Sequence, residues 1–549
     1  MRTPFLDDDG DAKMRDNNDK EQEEKTKPED SGGISWLLIV LGLVAAVLIV
    51  AAVLGTFVLG LGDNVQENPT SGGLGYTTGG AQDTNNFRDN VREDYLPLPT
   101  DITYEGLFHG YYFDTGGNGY CADTFCPSYS TAVTEHPLTN ETERYMTVGL
   151  DSNMDAEEFE RKKLNLVVVL DKSGSMDSRF DEYYYDRYGN RHEVETEGRS
   201  KMDVAKDAVG SVAERLNEDD RLGVVSFDSD ARVERRLRPV GDTERAKSAV
   251  RRIRADGSTS LSDGMDEATA MLREFENADP TEYENRVVFV TDAMPNTDET
   301  RRTGLLRRIE ENADSGVHTT FVGVGVDYNT ELVEGITSVR GANYFSVHSA
   351  EEFEERMEDG FEYAVTPLIY DLSVEVDGAE VERVYGTDAE GSTEEVMRTK
   401  TLFPSPQEDG ETKGGVVLVK LEDDAEDARL RATWEERGGW RGSSERRISF
   451  IDEGFENDGV RKAVLLARYG RLMKDWTRHE WTEARGENID DGLGRWERRS
   501  EELVVSEEYR DRIDEFVEHF EGEVDALNDD DISKETEVME EILSAPAPR

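Results

Sequence analysis

Four apolar segments, LNLVVVL from Leu164, RLGVVSF from Arg221, RVVFVTDA from Arg286 and HTTFVGVGV from His318, alternate with amphipathic stretches at 201–216, 261–275 and 300–315. A strand that is apolar on both faces must be covered on both, and helices between successive strands supply that cover. The pattern predicts a doubly wound α/β domain with a mostly parallel sheet over residues 162–364. In such a sheet ligands bind outside the carboxyl ends of the strands, near the point where strand order reverses.

The first of these strands ends abruptly in VVVLDKSGSMD, so Asp171, Ser173 and Ser175 follow it directly. The same edge should carry Thr259, in a GSTS loop that opens a helix, and Asp292, in the VTDA that ends another strand. Two carboxylates and three hydroxyls are hard oxygen donors, which suit Mg²⁺ with some of its water retained. The two acids match the ion's charge, and the hydroxyls add contacts without further repulsion. Mn²⁺ fits the same donors, whereas Ca²⁺ is the poorer match because few carboxylates and no carbonyl-rich loop are visible.

Asp171-x-Ser173-x-Ser175, then Thr259, then Asp292 at a strand end resembles the metal-ion-dependent adhesion site of the von Willebrand factor type A domain family. The resemblance implies a Rossmann-like, six-stranded sheet with one antiparallel edge and a divalent ion that bridges to an acidic side chain of a protein partner. It also implies that Ser173 and Ser175 ligate directly, Thr259 directly or through water, and Asp171 and Asp292 largely through water. Over about residues 81–476 the order of segments resembles membrane-associated or secreted prokaryotic proteins with an added N-terminal segment before this domain. Asp83, Thr84, Asn90, Arg92, Pro99, Glu105, Tyr112 and Phe113 carry that likeness. The segment is shorter here, EGLFHGYYFD is looser than the family's acidic and aromatic run, and an apolar anchor replaces a lipoprotein-type start.

Between the first strand and the helix near Ser200 lies SRFDEYYYDRYGNRHEVETEGR, on the rim of the expected metal site. Loops carry recognition and tyrosines offer stiff contact surfaces, so Tyr183, Tyr184, Tyr185 and Tyr188 are candidates for partner selection. A solvated insertion explains the same residues. Asp228 and Asp230 in SFDSDA either reach this edge or form a hairpin turn. The only cysteines, Cys121 and Cys126, admit a local disulfide, two free thiols, or zinc recruiting His109 and His136. RHEWTE lacks the second histidine of a metalloprotease motif, GVGVDY lacks the third glycine of a dinucleotide loop, and no G-x-S-x-G elbow occurs. DSNMDAEEFERK lacks the glycine and final glutamate of a calcium loop. The expectation is a protein that is not an enzyme.

Residues 34–61 contain no charge, and 28 of them at about 1.5 Å each exceed a hydrocarbon core of roughly 30 Å, so they read as a transmembrane helix. Arg15, Lys20, Lys25 and Lys27 precede it and no Lys or Arg occurs from Gly62 to Phe87, which places the N-terminus inside and the bulk of the chain outside. The expected order is an acidic cytoplasmic tail (1–33), the anchor (34–61), a flexible linker (62–85), an N-terminal segment (86–161), the α/β domain (162–364), a small antiparallel β domain (365–455) and a helical region (456–549). Net charge is −59, and the 63 bases comprise 47 Arg and 16 Lys. That balance suits a haloarchaeal protein kept soluble in concentrated salt and opposes nucleic-acid binding. Gly42 and Ala46 leave the oligomeric state open. The first functional expectation is membrane-anchored, metal-bridged adhesion to an acidic partner. A permanent accessory subunit with a structural metal is the second, and a metal-dependent hydrolase the third.

Overall fold

The computed structural model describes residues 74–548 except 79–83, 118–123, 155–158, 179–182, 186–190, 194–198, 258–259, 293–298, 325–334, 348–360, 388–396, 423–427, 486–500 and the single positions 93, 100, 160, 276, 280 and 337. The anchor expected at 34–61 lies outside the described residues. Among those described, no helix is long and apolar enough to cross a membrane.

The chain enters with β1 (Leu74–Thr78), two short helices (Asn85–Arg92 and Tyr104–His109), β2 (Tyr112–Phe113), β3 (Cys126–Glu135) and β4 (Thr142–Asp151). The α/β region follows: β5 (Lys163–Asp171), a small hairpin of β6 (Tyr183–Tyr185) and β7 (Arg191–Glu193), β8 (Arg221–Phe227), β9 (Ala231–Pro239), β10 (Tyr283–Thr291), β11 (Val317–Val324) and β12 (Asn343–Val347). Its helices are Lys201–Arg215, Thr243–Val250, Leu261–Leu272, Glu299–Asp314 and Phe361–Ala364. Then come β13 (Ile369–Asp377), β14 (Val381–Tyr385), β15 (Met397–Glu408), β16 (Glu411–Lys413), β17 (Val416–Leu421), β18 (Arg429–Glu436), β19 (Arg441–Arg447) and β20 (Gly454–Phe455). Three helices, Asp458–Arg485, Glu507–Leu527 and Ser533–Ser544, end the chain.

The α/β sheet has the order β12-β11-β10-β5-β8-β9. All pairs are parallel except β8 with β9, so one edge is antiparallel. Alternate residues of each central strand face opposite sides, and each side has its own core. Leu166, Val168 and Leu170 of β5 pack toward the Lys201–Arg215 helix, whereas Val167 and Val169 pack toward the Leu261–Leu272 helix.

The segments flanking this domain do not form two separate pieces. A seven-stranded sheet runs β19-β18-β13-β15-β16-β2 with β1 on β15, and a five-stranded sheet runs β14-β17-β4-β3-β20. Strands from before and after the α/β domain thus share both sheets, as in Thr147 opposite Leu418 and Tyr76 opposite Pro404. The α/β domain is an insertion in a β-sandwich. Met146, Val148 and Leu150 of β4 face Leu372, Val374 and Leu402 of the other sheet. Tyr145 faces the opposite way, into a core shared with Leu466, Tyr469 and Trp476 of the C-terminal helices. Leu74–Thr78, expected within a flexible linker, is instead a buried strand. Its glycine and threonines hid the signal, but Leu74 and Tyr76 alternate into the sandwich core.

The candidate metal centre

Strand register builds the site. β5 and β10 are parallel neighbours with Leu170 opposite Val290, so their carboxyl ends bring Asp171 beside Thr291 and Asp292. Asp171 is fully buried; its Oδ1 accepts from the Ser173 backbone N–H at 2.7 Å and its Oδ2 from the Thr291 hydroxyl at 2.5 Å. Burial and the nearby Asp292 carboxylate push its pKa up to about 6.

After Asp171 the chain makes a single tight turn, Gly174–Asp177, whose preceding Ser173 does not spend its side chain on a cap. Ser173 Oγ lies 3.0 Å from Ser175 Oγ, and Ser175 Oγ donates to Asp292 Oδ1 at 2.9 Å. Four of the five expected ligands therefore converge. Thr259 lies outside the described residues, but both flanks of its loop are tied to this edge. The Gly174 N–H donates to Gly257 O at 3.1 Å, and the Ser260 N–H donates to Asp228 O at 2.7 Å. Among the described residues no cluster of three or more His, Cys, Asp or Glu is assembled. The site offers two carboxylates and serine hydroxyls instead, a hard-oxygen set that fits Mg²⁺ or Mn²⁺.

Three contributors were not singled out from sequence. Thr291 holds Asp171 and adjoins the Asp292 that was recognised. Lys201, the first residue of the Lys201–Arg215 helix, places Nζ 3.2 Å from Asp292 Oδ2, with both side chains buried. Lys172 pairs with Asp228, and Asp230 N–H donates to Asp228 Oδ1 at 3.1 Å, so SFDSDA is a turn braced against the site's first loop. Gly257 has φ of 94°, and a Cβ there would come 3.1 Å from Asp228 Cβ. Gly257→Ala is therefore expected to cost about 1–2 kcal/mol in unfolding free energy and to weaken Mn²⁺ binding, read by denaturant titration and Mn²⁺ titration of one preparation.

Of the tyrosine loop, Tyr183–Tyr185 forms β6, with Tyr184 opposite His192; Tyr188 lies outside the described residues. The insertion leaves and returns at one point, since the Lys201 N–H donates to Ser178 O at 2.9 Å. Cys126 is disulfide-bonded, and Cys121 lies outside the described residues. His109 and His136 have other roles: His109 Nδ1 is 3.3 Å from Thr77 Oγ1, and His136 Nδ1 accepts from the Leu138 N–H at 3.2 Å.

Residues 165–359 match the von Willebrand factor type A domain family. The chain is 24% identical over 224 residues, 40% of its length, to inter-alpha-trypsin inhibitor heavy chain H4 of Sus scrofa, and spans only 22% of that protein. A von Willebrand factor type A protein from Catenulispora acidiphila aligns with 78% of this chain and 99% of its own, at 14% identity and a TM-score of 0.42. Proximal thread matrix protein 1 from the mussel byssus, with a zinc occupied MIDAS motif, aligns with 37% of this chain and 46% of its own, at 19% identity and a TM-score of 0.27.

Proposed function

We propose that this chain, which carries a von Willebrand factor type A domain, is a membrane-anchored external protein that captures a partner through a divalent ion bridged to the partner's acidic side chain. The observation that carries the reading is the convergence of Asp171, Ser173, Ser175 and Asp292 at the carboxyl end of the sheet. Ser173 and Ser175 would hold Mg²⁺ or Mn²⁺ directly, Thr259 would join them, and the two aspartates would orient its water and balance its charge. The ion supplies a Lewis-acidic position for an incoming carboxylate. Burial of Asp171 and Asp292 makes it costly to hold two carboxylates side by side with the single Lys201 ammonium as counter-charge, which favours cation uptake.

Residues 34–61 would anchor the chain, and Tyr183, Tyr184, Tyr185 and Tyr188 would border the docking face. The test is purification of tagged protein from its own membranes in high salt with Mg²⁺, then with chelator, then as Asp171→Ala. The expected result is a partner retained only with Mg²⁺ and the native acid, its affinity falling about 100-fold or more without either. A partner retained in all three samples would instead mean a permanent accessory subunit.

A further inference from the structure

A lysine at the first position of a helix is out of place electrostatically. The positive end of the helix dipole lies there, so acids stabilise that turn and cations do not. Lys201 nevertheless opens the 15-residue Lys201–Arg215 helix, and its side chain is only 7% exposed. Its backbone is fixed from both sides: Ser200 caps the helix by accepting from the Asp203 N–H at 3.2 Å, and the Lys201 N–H donates to Ser178 O. The ammonium is thereby carried inward to Asp292.

The two oxygens of Asp292 face different neighbours. Oδ1 accepts from Ser175 Oγ, on the side of the expected ligands, and Oδ2 accepts from Lys201 Nζ. A cation drawn to the serine oxygens would thus share one carboxylate with a buried ammonium. The other lysines nearby are engaged elsewhere, Lys172 with Asp228 and Lys206 with Asp203.

We propose that Lys201 is a built-in counter-ion of the metal centre, which neutralises Asp292 when no divalent ion is bound and holds metal affinity down. The inference rests on the metal-bridged reading of the site. Two opposed effects set its sign. As an orienting partner of a ligand, Lys201 would favour metal binding by about 10–100-fold. As a unit charge that shares the Asp292 carboxylate with a divalent ion, it would oppose binding by several orders of magnitude even at an effective dielectric near 20. Repulsion wins. One consequence concerns the partner: two carboxylates, one ammonium and a divalent ion leave a single positive charge, which an incoming acidic side chain cancels.

The experiment is Mn²⁺ titration of the full chain in detergent at fixed KCl, followed by the electron paramagnetic resonance of free Mn²⁺. Wild type is compared with Lys201→Met, which keeps the aliphatic stem, and Lys201→Arg, which keeps the charge, each checked for unchanged helical circular dichroism. Lys201→Met should bind Mn²⁺ at least about tenfold more tightly, and Lys201→Arg should stay within about threefold of wild type. If Lys201→Met does not fold like wild type, Lys201→Gln takes its place with the same expectation. Wild type that binds Mn²⁺ while the neutral variants bind it equally or more weakly would overturn the counter-ion and leave the metal-bridged reading standing. Absence of binding in all variants would overturn both.

Discussion

Glu284→Gln is expected to lower the stability of the chain by about 3–5 kcal/mol, because it removes the anion from a buried group of cations. Glu284 Oε1 accepts from Arg286 Nη2 at 2.9 Å and lies 2.6 Å from His318 Nδ1, while Oε2 is 3.9 Å from Lys162 Nζ. Arg286 is wholly inaccessible, so a neutral residue at 284 leaves its charge buried without that anion, its Nη1 donating to the neutral Thr320 hydroxyl at 2.8 Å. Burial alone would raise the Glu284 pKa, but the His318 and Arg286 charges outweigh it and bring it down to about 2. A carboxylate depressed in the folded state contributes stability above its ordinary pKa of 4.5 and loses it as pH falls through that value toward 2. Denaturant midpoints of wild type and variant should thus differ fully at pH 7 and draw together between pH 4.5 and 2. A difference below about 1 kcal/mol at pH 7 would mean that the cluster is not a net support.

The position of this cluster gives it a second importance. Glu284 and His318 lie at the amino ends of β10 and β11, the end of the sheet opposite the candidate metal site. There the His318 ring lies 5.9 Å from the Tyr370 ring of β13, and a Cβ on Gly341 would come 2.1 Å from His318 Cδ2. Arg340 adds ion pairs to Asp371 and Glu435, both at 2.6 Å. The α/β domain is therefore held to the sandwich at its base, with the candidate metal site at the far end of its strands. Loss of Glu284 should loosen that attachment as well as the domain.

Glu535→Gln should cost about 3 kcal/mol and act on the other face of the sandwich. Glu535, in the first turn of the Ser533–Ser544 helix, accepts from Arg88 Nε at 3.2 Å and from the Tyr111 hydroxyl at 2.5 Å, with a further bond from Arg88 Nη2. All three side chains are buried. Burial would raise the Glu535 carboxyl, but the Arg88 charge and these hydrogen bonds hold it below the ordinary range. The variant leaves Arg88 buried without its anion. Amide exchange in Ser533–Ser544 and Asn85–Arg92 should accelerate together, because one carboxylate pins both helices. Tyr111→Phe, which removes one neutral donor, should cost only about 1 kcal/mol. Equal effects of the two substitutions would show that packing rather than charge holds the C-terminal helix.

The candidate site was legible because its residues lie at strand ends. The apolar runs of β5 and β10 announce where each strand stops, and a parallel sheet sets those ends side by side. Asp171, Ser173, Ser175 and Asp292 follow from that alone. Lys201 did not follow, since a lysine in a polar stretch ordinarily reads as a solvated helix start. Only the return of the Ser178–Ser200 insertion to its own starting point turns it inward.

What the sequence by itself determined is the local order: apolar runs become strands, amphipathic stretches become helices, and small oxygen-bearing residues gather where the runs end. What only the tertiary structure decided is which distant segments belong together. The apolar run of β17 reads as a strand, but nothing in it states that Leu418 lies opposite Thr147 of β4. The charges of Arg88 and Glu535, 447 positions apart, say nothing of their pairing until both are buried. Periodicity is a property of neighbours a few residues apart, whereas strand pairing and burial of charge depend on contacts whose partners no local pattern names.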